Sequence, residues 1–258
     1  MENPDIHYID THTHIYEKEF ENDFDDAVER AIAAGVKTMI MPDIDMKSRP
    51  SMQKAAEAYP DIMHMTCGLH PASVNPDYKT ELKEMEKALA KGKIIGIGEI
   101  GLDFYWDTAY AKEQIKAFEY QLAMAAESSL SVIVHSRNSM PEVFDSLKKF
   151  PYVKAVLHCF PGTPADATRA IDMGYLLGIG GVVTFKNSMM ASVVRTTGYE
   201  NILLETDSPY LAPVPHRGKR NEPAFIPLIA EKIAELTGTD LKLIAEKTRL
   251  NAINLFSL

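Results

Sequence analysis

Cysteine is scarce: only Cys67 and Cys159 occur in 258 residues. Each sits in an apolar run with the character of a strand, and free cysteine is among the most buried residue types, so the two read as reduced core thiols rather than a disulfide. Basic charge is also short, with 27 Lys and Arg against 36 Asp and Glu and a formal net charge of -9. A protein that coats nucleic acid indiscriminately neutralises many phosphates with a basic face, and this balance excludes that class. It leaves open an enzyme whose carboxylates surround cations, because such groups lower the formal charge without making a loaded site negative. No stretch approaches the roughly 18 consecutive apolar residues of a membrane span, and Met1 to Asp10 lacks a basic segment followed by an apolar one. A cytoplasmic protein without membrane contact is therefore expected. No linker, internal repeat or low-complexity segment interrupts the chain, and nothing in it marks an obligate protein partner.

What is present is 46% hydrophobic and 24% charged residues, enough to bury a substantial core as one domain. Short β-rich runs alternate with longer segments of helical periodicity, the pattern of repeated βα units around a parallel sheet. The strand candidates are Ile6 to Asp10, Val36 to Met41, Ile62 to Cys67, Ile94 to Glu99, Val132 to His135, Val153 to His158, Tyr175 to Ile179 and Ile202 to Asp207. Helical periodicity covers Phe24 to Ala34, Ser51 to Ala58, Thr80 to Ala90, Ala111 to Glu127, Ser139 to Lys149, Ile226 to Leu236 and Asp240 to Phe256. Eight strands in about 250 residues fit a single-domain (β/α)₈ TIM barrel. A doubly wound open sheet is the competing architecture.

Of the 8 histidines, His12, His14, His70, His135 and His158 fall at or just past the C-terminal end of a strand candidate. In a barrel those ends converge on the face where active sites are built. His12 and His14 are one residue apart, and period-two alternation aims both the same way. Glu99 ends an apolar strand between Gly98 and Gly101, residues suited to a crowded mouth where backbone or ligand approaches closely. Taken singly, His135 or His158 reads better as a hydrogen-bonded core histidine, and Asp207 as a helix cap or turn residue. Together the set offers four imidazoles and two carboxylates, enough for two cations with positions left for water and substrate.

These residues stand in Asp-Thr-His-Thr-His (10 to 14), Gly-Leu-His-Pro (68 to 71), Gly-Glu-Ile-Gly-Leu-Asp-Phe (98 to 104), Val-His-Ser-Arg (134 to 137), Leu-His-Cys-Phe (157 to 160), Glu-Thr-Asp-Ser-Pro-Tyr-Leu (205 to 211) and Pro-His-Arg-Gly-Lys-Arg-Asn-Glu-Pro (215 to 223). Over nearly its whole length the chain resembles the TatD family of metal-dependent deoxyribonucleases, in the amidohydrolase superfamily. The resemblance implies that His12, His14, Glu99 and Asp207 hold one cation and that Glu99, His135 and His158 hold the other, with Glu99 as the bridge. It also implies 3′ to 5′ exonuclease action on single-stranded DNA, with RNA as a further substrate. Imidazole-rich shells suit Zn or Mn better than Mg, which prefers oxygen, whereas the family's activity is usually described as magnesium-dependent.

For the reaction, Glu99, Asp207 and His70 are the candidate catalytic groups. Asp207 would orient the attacking water or take its proton, and His70 would touch the phosphate or leaving oxygen, with a structural turn histidine beside Pro71 as the equal alternative. Arg217, Lys219 and Arg220 follow the last strand, where many barrels bind phosphate; a solvated basic loop is the alternative. Trp106, in the loop after Glu99, could stack on a base. Glu205 shares a face with Asp207 and could hold a histidine or Arg217 in place. The competing function is a small-molecule amidohydrolase or lactonase on the same metal pair.

Overall fold

In the computed structural model, which describes residues 6–105 and 108–258, eight parallel strands follow one another around one sheet in chain order. They are β1 (Tyr8–Asp10), β2 (Val36–Met41), β3 (Met63–Cys67), β4 (Ile94–Asp103), β5 (Ser131–Arg137), β6 (Ala155–Leu157), β7 (Leu176–Ile179) and β8 (Ile202–Leu204). The sheet closes where β8 returns to β1. Thr11 donates its amide to Leu204 O at 3.0 Å, Asp207 donates to His12 O at 2.9 Å, and Thr13 bridges Ser208 in parallel. The architecture is thus the (β/α)₈ barrel, and the open sheet is excluded because its edge strands would have no such partners.

Helices α1 (Phe24–Ala33), α2 (Arg49–Ala58), α3 (Tyr78–Ala90), α4 (Ala111–Ser128), α5 (Met140–Leu147), α6 (Pro164–Asp172), α7 (Met190–Thr197), α8 (Ile226–Thr237) and α9 (Leu241–Phe256) accompany the strands. Two short ones, α6 and α7, are absent from the periodicity reading. α6 has a local start signal nonetheless: Thr163 Oγ1 accepts the Asp166 amide, Asp166 Oδ2 accepts the Thr163 amide, and Pro164 opens the first turn. Among the described residues no helix is long and apolar enough to cross a membrane.

Alternation along the strands separates two apolar layers. Outward residues such as Met39, Met41, Val132, Val134 and Leu204 pack with the helices. Ile9, Ile40, Ile133, Val156 and Leu203 form a smaller cluster with Ala252, Leu255 and Phe256 of α9. Continuing that second series by steps of two gives His135 and Arg137 on β5, His158 after β6, and Glu205 and Asp207 after β8. The face that is apolar at the bottom of the barrel becomes ligating at the top.

β4 and β5 approach most closely where Glu99 is presented. A Cβ on Gly98 would lie 2.7 Å from Ile133 Cβ, and a Cβ on Gly101, at φ 141°, would run into the His135 carbonyl oxygen, so no side chain fits at either position. Both cysteines are free thiols; Cys67 is buried as expected, whereas Cys159 is half-buried and lines the cavity at the barrel mouth. Cys159, however, lies beyond β6 rather than inside it. The chain turns there, at φ 41°, so that its amide reaches the Glu205 carboxylate instead of continuing the ladder.

Candidate metal centre

The mouth of the barrel opens into a cavity of about 630 Å³ whose lining includes His14, His70, Glu99, Asp103, His135 and Asp207. Its frame is set below by Asp10, a fully buried carboxylate at the end of β1. Asp10 Oδ1 accepts the amides of His12 (3.2 Å) and Thr206 (3.0 Å), and Oδ2 accepts Thr206 Oγ1 at 2.6 Å. One side chain thereby ties the strand end bearing His12 and His14 to the one bearing Asp207. Burial pushes its carboxyl up to about 8, against the hydrogen bonds from Thr206 and His12. Asn221, from the loop after β8, braces the same segment by donating to Thr206 O and Tyr210 O.

Glu99 stands at the centre. Its Oε2 is 3.1 Å from His12 Nε2 and 3.7 Å from His14 Nε2, and its Oε1 is 2.8 Å from His135 Nδ1, 3.5 Å from His70 Nε2 and 3.9 Å from His158 Nε2. Asp207 Oδ1 is 3.8 Å from each of the Nε2 atoms of His12, His14 and His158. Among the described residues four overlapping groups have the spacing to hold a metal ion: His12, His14 and Asp207; His12, Glu99 and His158; His70, Glu99 and His135; and His158, Cys159 and Glu205. All six residues anticipated as ligands therefore meet in space, with Glu99 common to two groups. His158 stacks on His12, ring centroids 3.4 Å apart, and so lies nearer the first pair of histidines than His135 does.

Hydrogen bonds fix which nitrogen of His14, His135 and His70 faces inward, whereas the buried Nδ1 atoms of His12 and His158 have no hydrogen-bond partner among the described residues. Tyr16 donates its hydroxyl proton to Pro42 O at 2.5 Å and so must accept from His14 Nδ1 at 2.9 Å, which leaves the His14 Nε2 lone pair toward the centre. Asp103 Oδ2, 3.2 Å from His135 Nε2, holds that proton and turns Nδ1 to Glu99. Glu205 Oε1 lies 3.1 Å from His158 Nδ1, off the line of a good hydrogen bond, and accepts the Cys159 amide at 2.6 Å. Such carboxylate–histidine pairs orient ligands and raise their basicity. His70 differs: its Nδ1 accepts the Ala72 amide at 3.1 Å, so the neutral ring carries its proton on Nε2 and presents a donor to the cavity.

The donor set fits cations. His12 Nε2 and His14 Nε2 face each other at 3.1 Å with Glu99 and Asp207 oxygens beside them, an array of lone pairs with few protons to share. Without a cation, burial would raise the Glu99 carboxyl, but His12, His70 and His158 together hold it well below the usual range. Burial pushes Asp207 up to about 6 and Glu205 up to about 7, the nearby histidines opposing. Burial lowers His14 and His158, while in His135 it is overcome by Asp103 and Glu99, which raise the imidazole to about 9. Replacing Glu205 by Gln is expected to weaken metal binding about 10- to 100-fold, the usual cost of losing such a partner. A metal titration giving affinity within twofold of the parent would remove Glu205 from that role.

The basic loop lies apart from the cavity lining. Arg220 is engaged by Asp23 through two bonds of 2.6 and 2.7 Å, lies over the Phe20 ring and donates to Glu19 O, tying the loop to the N-terminal end of α1. Arg217 stacks on Phe185 at 4.1 Å, and Lys219 donates its amide to His216 O. Trp106 is outside the described residues. Sequence reasoning passes over Tyr16 and gives no role to Asp10, Asp103 or Arg137. The steps of two from Glu99 and His135 were the available signal for Asp103 and Arg137.

A closed (β/α)₈ barrel with imidazoles and carboxylates gathered at the C-terminal ends of its strands defines a metal-dependent hydrolase of the amidohydrolase superfamily. The family described as TatD related DNase matches residues 9–257. The chain is 35% identical over 253 residues to the uncharacterized metal-dependent hydrolase YabD of Bacillus subtilis (strain 168), covering 96% of this chain and 98% of YabD. It is 34% identical over 251 residues to the 3′-5′ ssDNA/RNA exonuclease TatD of Pantoea ananatis, covering 93% and 95% of the two chains. The crystal structure of YJJV, a TatD homologue from Escherichia coli K12, superposes with a TM-score of 0.90 at 28% identity over 97% of this chain and 98% of that one. The chain belongs to the TatD family of metal-dependent hydrolases.

Proposed function

We propose that this protein is a 3′ to 5′ exonuclease on single-stranded DNA, with RNA as a second substrate, using two divalent cations (Zn, Mn or Mg). His12, His14, Glu99 and Asp207 would hold one cation, and Glu99, His135 and His158 the other. The observation that carries the reading is the convergence of these ligating atoms around Glu99 at a barrel mouth open to substrate. The Pantoea relative named as an ssDNA/RNA exonuclease supplies the direction and the polymer.

The cations would supply Lewis acidity to the phosphodiester and to the attacking water. Asp207 is the proton acceptor: its carboxylate faces the centre, one oxygen 3.8 Å from the Nε2 atoms of His12, His14 and His158. Water adds to phosphorus, the P–O3′ bond breaks, the remaining strand keeps a protonated 3′ oxygen, and the nucleotide leaves with its 5′-phosphate. The Nε2–H of His70 is a donor to a phosphate or leaving oxygen. The unpaired thiols Cys67 and Cys159 are in keeping with a cytoplasmic protein.

Metal-reconstituted protein incubated with 3′- or 5′-labelled single-stranded DNA and matched RNA, with and without EDTA, tests the reading. A metal-dependent ladder that shortens from the 3′ end is expected. Absence of cleavage by folded, metal-loaded protein would move the assignment to an amidohydrolase or lactonase acting on small molecules, for which a cavity of about 630 Å³ is also large enough. Arg217 would meet the longer substrate further out. Arg217→Ala is expected to weaken DNA binding and to reduce the salt slope of binding by about 1, measured by titration across salt concentrations. An unchanged slope would leave the loop without a phosphate contact.

A further inference from the structure

The turn that presents Asp207 also presents an aromatic ring. Tyr210 donates its amide to Asp207 O at 2.8 Å, and the buried Asn221 donates Nδ2 to Tyr210 O at 2.6 Å and its own amide to Pro209 O at 3.0 Å. The backbone on either side of the ring is thus anchored to the frame that carries the metal ligands. The side chain is not held in the same way: it is 52% exposed, and among the described residues its hydroxyl has no hydrogen-bond partner. The ring lines the cavity, where Tyr210 joins Leu211, Ile44, Ala72 and Pro161 in the apolar part of the lining. Its centroid lies 6.4 Å from that of the His14 ring, with the two planes at 65°. Among the described residues no ring or cation is stacked in parallel upon it. Tyr105 is equally exposed, but it carries the Arg137 guanidinium on its face and does not line the cavity.

A half-exposed aromatic face on a fixed backbone is suited to stacking, because the ring is already in place and little order has to be gained on binding. Every nucleobase has a π-face, so such a platform holds a base without reading its identity. Its position matches one end of a nucleotide. The ring stands one side chain away from His14 and three residues along the turn from Asp207, the separation that a nucleotide bridges between its base and its phosphate. We infer that Tyr210 is the platform for the base of the 3′-terminal nucleotide, the one whose 5′-phosphate lies at the metal centre and which leaves on hydrolysis. The inference rests on the proposed function for the substrate being a nucleotide. Two consequences follow from a stacking contact alone: tolerance of all four bases, and poor handling of a strand whose terminal base is missing.

The test is calorimetric titration of the metal-loaded protein with thymidine 5′-monophosphate and with 2-deoxyribose 5-phosphate, which is the same ligand without its base. Metal content and melting temperature are measured for every variant. The parent is expected to prefer the nucleotide about tenfold, the scale of one base stacked on one ring. Tyr210→Ala is expected to abolish that preference while binding the sugar phosphate as the parent does, and Tyr210→Phe to restore it, since the face and not the hydroxyl makes the contact. If Tyr210→Ala loses metal or melts well below the parent, Tyr210→Leu decides, because it keeps apolar bulk at the turn without a π-face and is expected to lose most of the preference. A parent without the preference overturns the platform, as does a preference that survives both Ala and Leu or that disappears in Tyr210→Phe. A preference lost in Trp106→Ala and kept in Tyr210→Ala also overturns it. Cleavage of single-stranded DNA by the parent is read separately. Base preference that depends on Tyr210 in a protein that leaves DNA intact refutes the nuclease reading alone, whereas cleavage with a base preference indifferent to Tyr210 refutes the platform alone.

Discussion

Alanine at Asp207 is expected to lower hydrolysis of labelled single-stranded DNA by roughly 10²- to 10⁴-fold while the barrel stays folded. The backbone there does not depend on the side chain. Asp207 holds φ 56°, its amide donates to His12 O at 2.9 Å, and its carbonyl accepts the Tyr210 amide at 2.8 Å. The side chain instead places one oxygen 3.8 Å from each of three imidazole nitrogens. Asn at the same position separates binding from proton transfer, since it keeps an oxygen toward the centre and cannot take a proton at neutral pH. The Asn variant should retain more metal than the Ala variant and still turn over slowly. Metal content, circular dichroism and initial rates on the two proteins check this, and parental rates in either would remove Asp207 from the chemistry.

The second large effect is expected at Glu99. Both of its oxygens are used: Oε2 toward His12 and His14, Oε1 toward His135, His70 and His158. Gln keeps the shape but gives up the charge and turns one oxygen into an N–H donor, which cannot ligate and would face the imidazole lone pairs. Added Mn or Zn should raise the melting temperature of the parent: at a hundred times the dissociation constant the gain is about 2.7 kcal/mol, or about 5–10 °C for a chain of this size. In Glu99→Gln most of that rise should vanish, together with activity. Thermal melts across a metal titration measure it directly. A metal-dependent rise equal to the parent's would mean that the cations are held without Glu99.

The strands are legible in the sequence because each is a short, mostly apolar run, several of them ending in a polar residue, and all eight appear within a few residues of their observed limits. The differences are informative. β4 continues past Glu99 to Asp103 and β5 past His135 to Arg137, because these two strands pair with each other as far as Asp103 and Arg137. β8 is shorter than expected, ending at Leu204, since beyond it the chain bends to bring Asp207 across to His12. The short helices α6 and α7 fall outside the periodicity reading; α6 is marked in the sequence by its cap.

By itself the sequence determined a parallel βα sheet of eight strands and the six candidate ligands at its strand ends; closure into a barrel was settled by the structure. Strand alternation and the rule that barrel strand ends converge require only local pattern, and both are written in the order of residues. Only the tertiary structure decided what each group faces. Tyr16 fixes the His14 ring through Pro42, Asp103 fixes His135, and the Ala72 amide leaves His70 a donor. It likewise turned Arg220 to Asp23, on a segment nearly the length of the chain away, and Arg137 to the cavity. The His14–Tyr16 and His70–Ala72 contacts span two residues. The partners Pro42, Asp103 and Asp23, however, stand 26, 32 and 197 residues from Tyr16, His135 and Arg220, and they depend on register and closure of the whole sheet, which no local pattern encodes.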